Sequence, residues 1–179
     1  MSSHNLRSQG GKEEKPLKKP LFLDGDEAAA LIDDNKTVAT IGMTLVSASE
    51  TILKALDKRY LETGHPCGLT LVHSCGQSDR DRGIQHFAHE GMLSRIIGGH
   101  WGLQPRMMEL IANNKLLAYN LPQGQFAQLY RSMAGGEPGK ITKVGLGTYM
   151  DPRLGGGKMN EITQNAPDLM DVLTIDGEE

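Results

Sequence analysis

The stretch Leu116-Leu-Ala-Tyr-Asn-Leu-Pro-Gln-Gly-Gln-Phe126 decides how the chain reads. An apolar run stops at Asn120, turns through Pro122 and Gly124, and enters a helical pattern. In an open parallel sheet such a turn lies at the carboxyl end of its strand, where ligands bind. Gln123 is the polar side chain that the turn carries. A glutamine amide there can donate to an oxygen that gains negative charge during a reaction. Most Pro-Gln-Gly turns only reverse the chain, so its neighbours carry the argument.

Upstream, Thr37-Val-Ala-Thr-Ile41 is a β-branched strand ending at Gly42, and Leu69-Thr-Leu-Val-His73 is a second, followed by a polar loop from Ser74 to Gly83. A third lies near Arg95-Ile-Ile97 and is broken by Gly98-Gly-His-Trp-Gly102. Helical patterns fill the gaps. Asp24 and Glu27 form a capping box for a short helix over Ala28 to Ile32. Ser47 or Ser49 caps a helix that runs past Leu61 to Gly64 and Pro66. Ile84 to about Leu93 reads as a helix, and Pro105 sits in the first turn of another that reaches Asn113.

Downstream, the helix after Gln123 ends at Gly135-Gly136, and Thr142-Lys-Val-Gly-Leu-Gly147 reads as a fifth strand. One more polar helix and a strand-like Asp171-Val-Leu-Thr-Ile175 close the chain. Alternation of this kind predicts an α/β fold, a three-layer α/β/α arrangement on an open, mainly parallel sheet. Gly42, Ser74, Gly98, Asn120 and Gly147 then gather along one sheet edge. That edge is the candidate site.

Composition narrows the function. The net charge is -3 and aromatic residues make up 4% of the chain, so no basic stripe or stacking platform for nucleic acid is present. No apolar run is long enough for a membrane helix. Residues 1 to about 20 have the composition of a solvated, disordered tail, and Glu13 and Glu14 argue against a mitochondrial presequence. Cys67 and Cys75 are too few and too loosely spaced for a zinc cage or a disulfide framework, which points to a reduced, cytoplasmic protein.

Three further constellations carry chemistry-bearing residues. His86-Phe-Ala-His-Glu90 departs from the zinc-protease spacings, so no metal is expected. Cys75 stands at a strand end with His73 two residues away, but nothing supplies a third partner, and a structural cysteine is the simpler reading. The glycine-rich run Gly145-Leu-Gly-Thr148 through Asp151-Pro-Arg-Leu-Gly-Gly-Gly-Lys158 fits neither a Walker A loop nor a Rossmann fingerprint. Taken alone it reads as a surface loop.

As a set, these stretches resemble family I coenzyme A transferases of the propionate or acetate type. The resemblance rests on Tyr60-Leu-Glu-Thr-Gly64, Arg82-Gly-Ile-Gln-His-Phe-Ala-His-Glu-Gly91, Gly99-His-Trp101, Ala118-Tyr-Asn120 with Pro122-Gln-Gly124, Val144-Gly-Leu-Gly-Thr148, Asp151-Pro-Arg153, Gly155-Gly-Gly-Lys158 and Asn160. It implies the α-type, amino-terminal half of such an enzyme over residues 21–179, incomplete at its carboxyl end. It implies coenzyme A as a substrate, no further cofactor, and acyl-CoA and a short-chain carboxylate as partners. A β-type half and a homo-oligomeric assembly are implied as well.

In that family a glutamate forms first an acyl anhydride and then a glutamyl-CoA thioester. The resemblance assigns Gln123 to positioning that intermediate, and Gly42, Ser74, Cys75, Gly98, Gly124 and Gly147 to the substrate side of the cleft. Two departures stand out. Ile41-Gly-Met-Thr44 and Ser47-Ala-Ser-Glu50 replace the family's first glycine-rich turn. No glutamate of this chain has the nucleophile's sequence setting, so the chain alone is expected to be inactive. The alternative is a non-catalytic domain that binds acyl-CoA or another small molecule on the same fold.

Overall fold

The computed structural model describes residues 20–178. Apart from Pro20, the tail expected over residues 1–20 lies outside the described residues.

Four strands form one wholly parallel sheet: β1 Thr37–Thr40, β2 Leu69–His73, β3 Leu93–Gly98 and β4 Leu117–Asn120, in the spatial order β1-β2-β3-β4. Register places Val38, Leu71, Ile96 and Ala118 in one row across the sheet. Leu71, Ile96 and Ala118 are fully buried and Val38 packs against them. The period of two along a strand sends these side chains to the same face. That face holds the core.

Among the described residues, five α-helices accompany the strands: α1 Gly25–Ala30, α2 Glu50–Thr63, α3 Pro105–Ala112, α4 Gln123–Ala134 and α5 Glu161–Gln164. Leu53 and Leu56 of α2, three residues apart, enter the core together, as do Met107 and Ile111 of α3, four apart. Asp24 and Glu27 close the expected capping box on α1, each side chain accepting from the other's backbone N–H. Ser49 takes the cap position of α2 without a capping hydrogen bond from its side chain, and Gly64 ends that helix in the left-handed conformation. Pro105 opens α3 as expected.

Three expected elements take other forms. Ile84 to Leu93 is not an α-helix; Gly83–Phe87 is a single 3-10 turn, and Leu93 already belongs to β3. Pairing with β2 and the side-chain bonds of His86 and His89 to α2 outweigh local helical preference there. Thr142 to Gly147 is not a strand. Val144 is exposed, and Gly145 and Gly147 take positive φ angles of 105° and 70°, which an extended strand does not allow. Asp171 to Ile175 makes only an isolated bridge between Ile175 and Glu178.

The carboxyl-terminal segment nevertheless docks on β4. Met159 N–H donates to the Ala118 carbonyl, Thr163 Oγ1 accepts from Ala118 N–H at 2.8 Å, and the buried Tyr119 donates its hydroxyl to the Pro167 carbonyl at 2.8 Å. Asn160 donates to the carbonyls of Ile111 and Leu116, tying the same segment to the end of α3. No described helix is long and apolar enough to cross a membrane.

Candidate functional site

Because the sheet is parallel, all four strands end on one line: Thr40 pairs with His73, His73 with Gly98, and Gly98 with Asn120. The segments that follow are the ones the sequence reading singled out. After β1 the chain turns through Gly42 (φ 141°), with Met43 and Val46 paired across the turn, and Thr44 N–H donates to the Gly76 carbonyl at 2.9 Å. A Cβ on Gly42 would lie 2.6 Å from the Val46 carbonyl oxygen, so the tight turn requires glycine. That bond sets Gly42 beside the Ser74–Gly76 loop.

Gln123 is the first residue of α4 and is exposed at the tip of the edge. Its Nε2 donates to Cys75 Sγ at 3.6 Å, so the two side chains expected to share a cleft do meet. They come from β2 and β4, with the end of β3 between them. Gly99 makes the reach possible. A Cβ there would overlap the Ser74 carbonyl oxygen and sit 2.5 Å from Gln123 Cγ. The sequence reading assigned Gly98 and passed over Gly99, although the adjacent glycine pair was the available signal.

Gly98 has a different task. A Cβ on it would run into the imidazole of His73, which is fully buried and meets Trp101 edge-on with ring centroids 5.0 Å apart. His73 Nδ1 donates to the Cys75 backbone carbonyl at 2.8 Å and thus supports the loop rather than the thiol. Burial pushes the His73 pKa down to about 4, so the ring is neutral at pH 7. No base is paired with the Cys75 thiol among the described residues.

The polar loop after β2 is locked from the side. His86 meets Asp57 Oδ2 with Nδ1 at 2.6 Å and Glu50 Oε1 with Nε2 at 3.0 Å, while His89 Nε2 meets Asp57 Oδ1 at 2.6 Å. Burial opposes ionisation of Asp57, yet the two histidines hold its carboxyl below the ordinary range. Glu50 also accepts from Gly83 N–H at 3.0 Å. These histidines brace the 3-10 turn against α2; they are not directed at the strand-end edge.

The glycine-rich run after α4 closes over β4. Asn120 N–H donates to the Gly157 carbonyl at 2.7 Å, and Tyr149 hydroxyl donates to Asn120 Oδ1. Gly147 itself donates to Asp151 Oδ2, whose carboxyl also receives Arg153, so its place is in the loop's own scaffold. Lys158 is paired with Asp168 at 2.9 Å and only 11% exposed, which removes it as a ready phosphate ligand. Gly124 lies in the exposed first turn of α4. A concavity of about 430 Å³ between α1 and α2, lined by Asp24, Thr51, Lys54 and Lys58, includes no strand-end residue.

No family model matches the sequence. The chain is 41% identical over 159 residues to caffeate CoA-transferase of Acetobacterium woodii, covering 88% of this chain and 30% of that protein. It is 38% identical over 173 residues to acetate CoA-transferase YdiF of Escherichia coli K12, covering 92% and 32%. A solved thioester complex with CoA of the acyl-CoA transferase YdiF from E. coli O157:H7 superposes with a TM-score of 0.81 and 38% identity over 87% of this chain. The chain is therefore a homologue of the CoA-transferases and shares their α/β fold. It spans about a third of the length of the relatives it matches.

Proposed function

We propose that this chain supplies the α-type side of the cleft in a short-chain acyl-CoA:carboxylate CoA-transferase of the acetate or propionate type. The observation that carries the reading is the convergence of Gln123, Cys75 and the Gly98-Gly99 pair at one parallel-sheet edge. The homologous YdiF bound as a thioester complex with CoA supports it.

In the proposed reaction a glutamate outside this chain attacks the thioester carbonyl of acyl-CoA. The C–S bond breaks, the CoA thiolate leaves, and a mixed anhydride forms. The thiolate then attacks the glutamyl carbonyl, releasing the carboxylate and leaving glutamyl-CoA. An acceptor carboxylate reverses both steps. Each addition puts negative charge on a carbonyl oxygen, and in this reading the Gln123 amide donates to it. Gly42, Ser74, Gly98 and Gly124 contribute backbone around the acyl group. The same reading puts the protein in the cytoplasm, in a homo-oligomeric assembly with its β-type half.

Transfer of CoA from propionyl-CoA to acetate, measured with this chain alone and with a supplied β-type half, tests the proposal. Activity only in the mixture, reduced about a hundredfold or more by Gln123→Ala, supports it. Turnover by the chain alone overturns the division of labour. Binding of acyl-CoA with no transfer in either case favours the non-catalytic domain.

A further inference from the structure

At the opposite, amino-terminal edge of the sheet, two loops bring Asp34, His65 and Cys67 together. Asp34 precedes β1, and His65 and Cys67 precede β2. One ligand-type atom from each, a carboxylate oxygen, an imidazole nitrogen and a thiol sulfur, lies within 4.8 Å of the other two. Asp34 Oδ2 and His65 Nδ1 are 2.8 Å apart. None of the three belongs to the candidate catalytic edge.

We propose that Asp34, His65 and Cys67 form a binding site for a divalent cation of the zinc class, clipping the loop before β1 to the loop before β2. An oxygen, nitrogen and sulfur donor set suits a borderline-soft ion, and three protein ligands leave water the fourth tetrahedral position. With metal–ligand bonds of about 2.0 to 2.3 Å, tetrahedral ligand atoms stand roughly 3.3 to 3.7 Å apart. Asp34 and His65 have to part by about half an ångström, and the sulfur has to close by up to about 1.3 Å.

The frame that carries the ligands is already knitted. Cys67 N–H donates to Asp34 Oδ1 at 2.8 Å, Asn35 N–H donates to the Cys67 carbonyl at 2.9 Å, and His65 N–H donates to Thr63 Oγ1 at 3.1 Å. The Asp34 carboxylate and the Cys67 thiol therefore stand side by side. A cation satisfies both and displaces the thiol proton to solvent.

Titration of the purified chain with Co²⁺, with Zn²⁺ as competitor, tests the site. Expected are a near-ultraviolet thiolate-to-cobalt charge-transfer band, visible bands of tetrahedral intensity, displacement by Zn²⁺, and release of about one proton per ion. Cys67→Ser is expected to abolish the charge-transfer band, and His65→Ala to weaken binding about a hundredfold. Cys75→Ser is expected to leave both unchanged. In the unaltered chain, Zn²⁺ is expected to slow alkylation of Cys67 and not of Cys75. A missing band, a band that survives Cys67→Ser, or equal protection of both thiols overturns the proposal.

Discussion

Gln123 and Cys75 touch across the end of a strand to which neither belongs. Nε2 of Gln123, at the start of α4, reaches Sγ of Cys75, just past β2, over the Gly98-Gly99 end of β3. The contact exists because β3 ends without side chains.

Gly99→Ala is therefore expected to disturb the site more than a one-carbon change suggests. The added methyl collides with the Ser74 carbonyl and with Gln123 Cγ, and forced repacking of this kind costs about 1–3 kcal/mol. Denaturant unfolding measures the loss. Reaction of Cys75 with a small thiol reagent is expected to accelerate in the same variant and in Gln123→Ala. An unchanged rate in both contradicts the shielding by Gln123.

Stability is expected to fall as acid is added before most carboxylates titrate. The folded-state pKa of His73 is depressed to about 4 from 6.5, so the unfolded chain binds more protons between those values. Folding stability from this group is complete above about pH 6.5 and declines as pH falls towards 4, by roughly 3 kcal/mol in all. Asp57, whose folded pKa is lowered, adds a further loss only below its ordinary range. Urea midpoints measured from pH 7 to 4.5 check the sign. His73→Gln is expected to flatten the slope in that window.

Asp57→Ala removes the shared acceptor of His86 and His89. Two hydrogen bonds to a charged group are lost, at about 1.5–3 kcal/mol each before relaxation. Hydrogen exchange is expected to accelerate selectively over residues 79–92, the segment those histidines brace against α2. Uniform acceleration over the whole sheet would contradict a local brace.

Thr163→Val tests the docking of the carboxyl-terminal segment. Valine keeps the shape and removes the oxygen that accepts from the Ala118 N–H in the buried layer. The stranded donor is expected to cost about 1–3 kcal/mol. Limited proteolysis is expected to cut first within residues 160–175, while β1 to β3 stay protected.

What the sequence determined by itself was local and periodic. The β-branched runs of β1, β2 and β3, the capping box at Asp24 and Glu27, and the strand–turn–helix from Leu116 to Phe126 each rest on neighbours a few residues apart, and all appear in the fold. A parallel sheet follows from the predicted alternation of strands and helices, and with it the shared edge of Gln123 and Cys75. Only the tertiary structure decided the rest. Ile84 to Leu93 gave up a helix because Asp57 and Glu50, about thirty residues earlier, hold its histidines. Thr142 to Gly147 has strand-like side chains but no sheet partner. Gly99 and the trio Asp34, His65 and Cys67 matter only through close approach between distant segments, and a side chain's spatial neighbours across some thirty residues leave no periodic trace in the chain.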